Sequence, residues 1–150
     1  MPHMNERQLG VPIPQRRLDD GCWSQSPVLR HAGGVSSERA VEVMKEMVAM
    51  FSTGDLSDIQ QTVHPDYLDH QGLHGEPICG PAGFAAVVAA ARSSFTTLEV
   101  TVEDLIPAGD RAAARLQWSG LRPDGPVTRQ TLEIVRIEDG MAIEHWGGRS

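Results

Sequence analysis

The sequence predicts an α+β domain with helices gathered on one face of a curved sheet. Two observations predict it. Apolar residues recur at spacings of three and four between residues 37 and 95, whereas after Phe95 the chain alternates with period two. At 150 residues the chain supports one ordinary core and is short for two.

Residues 1–36 stand apart from this pattern. They hold four of the ten prolines and no sustained apolar period, so they read as an N-terminal extension ahead of a domain over residues 37–150. Val11, Ile13 and Trp23 would each gain about 1.5 to 3 kcal/mol by docking on a surface. The extension is therefore open to two readings, a mobile tail or a lid.

In "SSERAVEVMKEMVAMFSTGD", Val41, Met44, Val48 and Phe51 build one apolar helix face, with Ser36 or Ser37 as N-cap and Gly54 as the stop. Asp55 caps a short helix, "LSDIQQTV", which ends before Pro65 because the residue preceding proline leaves the helical region. "YLDHQ" is extended. "CGPAGFAAVVAAARSSF" is a further helix, with Pro81 tolerated in its first turn. Thereafter "TLEVTVEDL" places Leu98, Val100 and Val102 on one face. "RAAARLQWSG", "VTRQTLEIVRI" and "MAIEHW" continue an antiparallel meander, the last two forming a hairpin about "EDG".

Composition narrows the function. Lys and Arg total 13 against 20 Asp and Glu, a formal charge of −7 that disfavours nucleic acid and anionic membrane surfaces. No run approaches 18 apolar residues and the N-terminus lacks the apolar stretch of a secretion signal, so a cytoplasmic location is expected. Cys22 and Cys79, far apart and without CxxC spacing, read as ordinary small residues. His64, His70 and His74 lack metal-site spacing, and no metal is expected.

The pieces "GD…HPDYLDH…GPAGF…VEDLIPAGDRAAARLQWSG…EIVRIEDGMAIEHW" resemble, in order and spacing, the SnoaL-like polyketide cyclases of the nuclear-transport-factor-2-like superfamily. The resemblance spans residues 37–146. It implies a cone-shaped antiparallel sheet whose concave face, covered by about three helices, encloses an apolar pocket for a hydrophobic, polyketide-like substrate. It also implies chemistry without metal or cofactor, and a homodimer formed through the open sheet face, where Thr101, Arg115 and Gln117 are expected.

Strand parity then assigns faces. Epoxide hydrolases of this superfamily carry an Arg-Val-Asp triplet facing the cavity. Its outer members align here with Leu116 and Trp118, so that catalytic set is missing from this strand. Leu116 and Trp118 are expected inside, Trp118 either lining the pocket or filling the core. A three-residue hairpin loop puts Leu132, Ile134, Glu144 and Trp146 inside and His145 outside; a two-residue loop would bring Glu133 inside instead. The first is preferred because it covers the apolar side chains.

The candidate catalytic residues are thus His70, Glu144, Tyr67 and Asp69, with Trp118, Trp146, Leu116, Ile134, Arg136 and Gln71 binding substrate. His70 suits proton transfer because imidazole titrates near pH 6.5. Tyr67 can hydrogen-bond a carbonyl or plug the cone. Glu144 is structural if Arg136 pairs with it, and an acid or base if Arg136 turns to solvent. Aldol-type family members place an acid two residues beyond the last-strand tryptophan, where Gly148 stands here. Two cyclase mechanisms remain open: aldol chemistry with a substituted acid, or an intramolecular cycloaddition templated by shape. Small-substrate hydrolysis or isomerisation and non-catalytic binding of an apolar ligand are the alternatives.

Overall fold

A computed structural model describes residues 36–149 of the chain. The extension, with the docking expected of Val11, Ile13 and Trp23, lies outside the described residues. Three helices and six strands follow: α1 (Ser37–Thr53), α2 (Ile59–Thr62), β1 (Val63–Leu73), β2 (Glu76–Cys79), α3 (Gly80–Ser93), β3 (Thr97–Ala108), β4 (Arg111–Arg122), β5 (Gly125–Glu138) and β6 (Met141–Arg149). The α+β class expected from the sequence is the one observed.

Helix α1 begins where Ser36 accepts a hydrogen bond from the Arg39 N–H, and it stops at Gly54, whose φ of 74° suits a residue without Cβ. Arg92, near the end of α3, donates to the carbonyls of Phe51 and Ser52 at 2.7 Å, satisfying acceptors that the end of α1 leaves open. Ser52 hydrogen-bonds both the N–H and the carbonyl of Val100, fixing α1 against β3. The second helix is shorter than its sequence pattern: Asp55 instead accepts from the Ser57 N–H, and only Ile59–Thr62 is helical.

The sheet order is β2-β1-β6-β5-β4-β3, antiparallel except for the parallel pair β1–β6. Strand β2 was not read from the sequence. Its hairpin turns at His74 and Gly75, both at positive φ, a two-residue turn whose backbone twist matches that of the strands. At the start of α3, Cys79 is not a free thiol, which corrects its reading as an ordinary small residue; Cys22 lies outside the described residues. The helices pack on the concave face, where Val43, Met47, Phe84, Val88, Ala112 and Leu116 form part of one core.

The register of β5 and β6 overturns the expected faces. The strands turn through two residues, Asp139 (φ 51°) and Gly140 (φ 77°), pairing Glu138 with Met141. A register shift then follows: Ile137 pairs with Ala142 but Arg136 pairs with Glu144, leaving Ile143 as a bulge residue. Thr131, Glu133, Val135 and Ile137 are consequently buried, while Leu132 is 57% and Ile134 43% exposed. Ile134, Glu144 and Trp146 therefore lie on the outer face, and His145 turns inward.

Among the described residues, no helix is long and apolar enough to cross a membrane.

Candidate active site

Between the helices and the concave sheet lies a cavity of about 640 Å³. One wall is apolar, with Met44, Met47, Phe51, Phe84, Leu116 and Trp118 among its residues. Leu116 and Trp118 face it as strand parity predicts. Trp118 both packs and lines: its ring meets Phe51 edge-on with centroids 5.0 Å apart, and its Nε1 donates to Thr131 Oγ1 at 2.9 Å.

The opposite chemistry comes from three neighbouring strands. Asp69 of β1 pairs in register with His145 of β6, which pairs with Val135 of β5, two residues from Glu133. His145 Nδ1 lies 3.0 Å from Asp69 Oδ1, and its Nε2 lies 2.9 Å from Glu133 Oε2. Burial works against charging this ring, but the hydrogen bonds and charges of Asp69 and Glu133 outweigh it and raise its pKa from 6.5 to about 9. At neutral pH it is an imidazolium donating from both nitrogens.

The two carboxylates differ in their remaining capacity. Asp69 Oδ1 also accepts the N–H groups of Gln71 (2.9 Å) and Gly72 (3.2 Å), and Oδ2 accepts the Tyr67 hydroxyl at 3.4 Å. Burial raises its pKa, yet the His145 bond and charge and the two N–H donors together hold it below the usual value. Tyr67 is fully buried, and burial together with the Asp69 charge pushes its phenol well above 10. It plugs the cone and braces Asp69. Glu133, by contrast, uses only Oε2 on His145, and among the described residues Oε1 accepts no hydrogen bond. It is the carboxylate with an acceptor left for a ligand.

Gly147 makes this crowding possible. A Cβ there would run into Glu133 Oε2 and Gln71 Oε1, whereas one on Gly148 would meet nothing within 4 Å. Gly148 follows Trp146 on the outer parity, so the absence of an acid there takes nothing from the cavity.

His70 and Glu144, the leading candidates from sequence, are brought together but outside the cavity. His70 Nε2 lies 2.8 Å from Glu144 Oε1, Arg136 Nε donates to Glu144 Oε2 at 3.0 Å, and the His70 ring stacks on Trp146 at 5.0 Å. Arg136 also donates to Glu138 at 3.0 Å. This is the structural salt-bridge arrangement, and His70, Glu144, Arg136, Trp146 and Ile134 are corrected accordingly: none lines the cavity. Asp69 and Gln71 do line it. Sequence reasoning missed His145 and, by preferring the longer loop, Glu133. The signal was the Asp139-Gly140 pair, which favours a two-residue turn. Among the described residues no group of His, Cys, Asp and Glu is arranged to hold a metal ion.

Residues 41–148 match the family model for SnoaL-like polyketide cyclases. The chain belongs to that family. One relative, the nogalonic acid methyl ester cyclase of Streptomyces nogalater, is 31% identical over 111 residues, covering 66% of this chain and 81% of the relative. Among solved structures, a candidate polyketide cyclase from Bacillus cereus superposes with a TM-score of 0.69 at 25% identity, covering 77% of this chain and 79% of that one. TsrD from Streptomyces laurentii gives 0.66 at 25% identity, covering 76% and 90%. A Catenulispora acidiphila protein with a ketosteroid isomerase-like fold gives 0.63 at 15% identity, covering 73% and 85%, and shows shared architecture alone. The SnoaL-like cone implied by the resemblance is thus the observed fold.

Proposed function

We propose that this protein closes a ring in a polyketide-derived biosynthetic intermediate by an intramolecular aldol addition, with Glu133 as the acid-base group. The observation that carries the reading is the Asp69–His145–Glu133 chain exposed to a cavity whose opposite wall is apolar. A buried imidazolium flanked by carboxylates is costly to desolvate and is retained where proton transfer needs it. A cycloaddition driven by shape alone has no such need, so the chain favours the aldol route.

In this mechanism Glu133 Oε1 takes the proton from a carbon activated by adjacent carbonyls. The enolate carbon attacks a second carbonyl carbon, forming the C–C bond and placing the electron pair on oxygen. Glu133 returns the proton to that alkoxide, so the product is an isomer of the substrate. His145 supplies positive charge beside the reacting centre, and Asp69 fixes its ring. Phe51, Trp118 and Leu116 hold the apolar body and exclude water. The work requires no group from outside the chain.

The same chain supports a second reading, hydrolysis of a small substrate, because carboxylate, cation and carboxylate in line can also activate water. Dimerisation through the outer sheet face completes the proposal, supported by exposed Leu132 and Ile134 beside Arg115 and Gln117.

The test uses nogalonic acid and its methyl ester as probes in deuterated buffer. The aldol reading expects a ring-closed isomer with enzyme-dependent exchange at the activated carbon. Incorporation of solvent oxygen would instead favour hydrolysis, and neither change with either probe would overturn the cyclase reading.

A further inference from the structure

The polar groups beside Glu133 are largely committed to one another. Both His145 nitrogens bond carboxylates, and the Tyr67 hydroxyl donates to Asp69. The imidazolium therefore has no N–H left to give a ligand, although removing a proton beside a carbonyl places charge on the carbonyl oxygen. An oxygen that gains charge away from water needs a donor aimed at it.

Thr131 holds such a donor. Among the described residues the buried polar side chains are Thr62, Asp69, Thr131 and Glu133. Thr62 donates its hydroxyl to Glu46 and does not line the cavity. Thr131 lines it, and its Oγ1 accepts the Trp118 Nε1–H at 2.9 Å while its own proton meets no acceptor among the described residues. Burying that proton unused is unfavourable, and a bound acceptor relieves the cost. A hydroxyl that accepts from the indole turns its O–H away from it. The β-branched side chain is stiff at χ1, and the indole is itself held edge-on by Phe51. Thr131 and Glu133 alternate on the inward face of β5, so their backbones stand about 7 Å apart. A carbonyl and the carbon beside it can bridge that gap at hydrogen-bond reach of each side chain.

We infer that the Thr131 hydroxyl, set in place by Trp118, is the donor that holds the substrate's ketone oxygen while Glu133 takes the proton from the carbon beside it. The inference rests on the cyclase reading for that step. As Glu133 Oε1 accepts the proton, the C–H electron pair becomes the C=C bond of the enolate. The carbonyl pair moves onto oxygen, which accepts the Thr131 hydrogen bond without taking its proton. When the enolate carbon forms the new C–C bond, that oxygen regains its double bond. Trp118 is thus a positioning residue as well as a wall of the cavity.

The probes are 2-acetonaphthone labelled with carbon-13 at its carbonyl, and 2-isopropenylnaphthalene, which has the same shape without the oxygen. Infrared spectroscopy follows the bound carbonyl and calorimetry follows affinity. Thr131→Val alone would orphan the Trp118 N–H, so the deciding pair is Trp118→Phe and Trp118→Phe/Thr131→Val. The carbonyl stretch is expected to move to lower frequency in the wild type, in Trp118→Phe and in Glu133→Gln, and to lose that shift in the double variant. Against Trp118→Phe, the double variant should bind the ketone about two- to tenfold more weakly and the hydrocarbon equally well. Trp118→Phe/Thr131→Ser should restore the shift. An unshifted carbonyl in the wild type, a shift that survives in the double variant, equal weakening of both probes, or binding of neither would overturn the inference. With a probe that the protein cyclises, loss of Thr131 in the Trp118→Phe background should lower kcat about 100-fold. Unchanged kcat there beside a collapse in Glu133→Gln would overturn this inference and leave the cyclase reading standing.

Discussion

His145 Nε2 donates to Glu133 Oε2 across 2.9 Å while its Nδ1 donates to Asp69 Oδ1 at 3.0 Å, so one cation joins two buried carboxylates from different strands. Neither carboxylate could be buried as cheaply without it. The ring is therefore a structural joint as well as part of the proposed chemistry.

The joint makes stability depend on pH in a definite direction. His145 has a folded pKa of about 9 against 6.5 for the free group, so its contribution is full below pH 6.5 and is lost as pH rises through about 9. The loss amounts to about 3 kcal/mol at most. Asp69, with a lowered pKa, contributes above its ordinary range, and that contribution is lost as pH falls through the lowered value. Urea melts at pH 7 and pH 10 are expected to show the alkaline loss in the wild type and not in His145→Gln. An equal loss in both would contradict the assignment.

Asp69→Asn removes one of the two charges that hold the imidazolium. The His145 titration, followed by its ring resonances in NMR, is expected to move to lower pH by about 1 to 2 units. The alkaline limit of activity should move with it. An unmoved titration would mean that Glu133 alone sets the ring's charge.

Gly147→Ala places a methyl group against Glu133 and Gln71, and overpacking of this kind costs about 1 to 3 kcal/mol. Thermal melts should register that loss, and turnover should fall because Glu133 is displaced. Gly148→Ala, with open space around it, is expected to stay within about 0.5 kcal/mol of wild type. Similar behaviour of the two variants would contradict the placement of β6.

The helices, the long strands and the inward faces of Leu116 and Trp118 were legible because each follows from an uninterrupted period. The β5–β6 faces were not. The apolar pattern assigns burial to Leu132 and Ile134, but a two-residue turn and the bulge at Ile143 reverse the parity, and the cavity takes Glu133 and His145 instead. Hydrophobic pattern misleads at such a point because a functional cavity buries charge that a plain core would reject. His70 was misplaced for a related reason: β1 runs parallel to β6 with Asp69 and His145 paired, so the inward residue is the aspartate.

The most direct measurement compares turnover of one probe by Glu133→Gln, Glu144→Gln and His70→Ala, each verified as folded by circular dichroism. Glu133→Gln keeps the size of the side chain and an acceptor for His145 while removing the base. It is expected to lower kcat about 100-fold or more, with the other two variants within about twofold of wild type. Undiminished turnover in Glu133→Gln, or a collapse in Glu144→Gln or His70→Ala, would contradict the account.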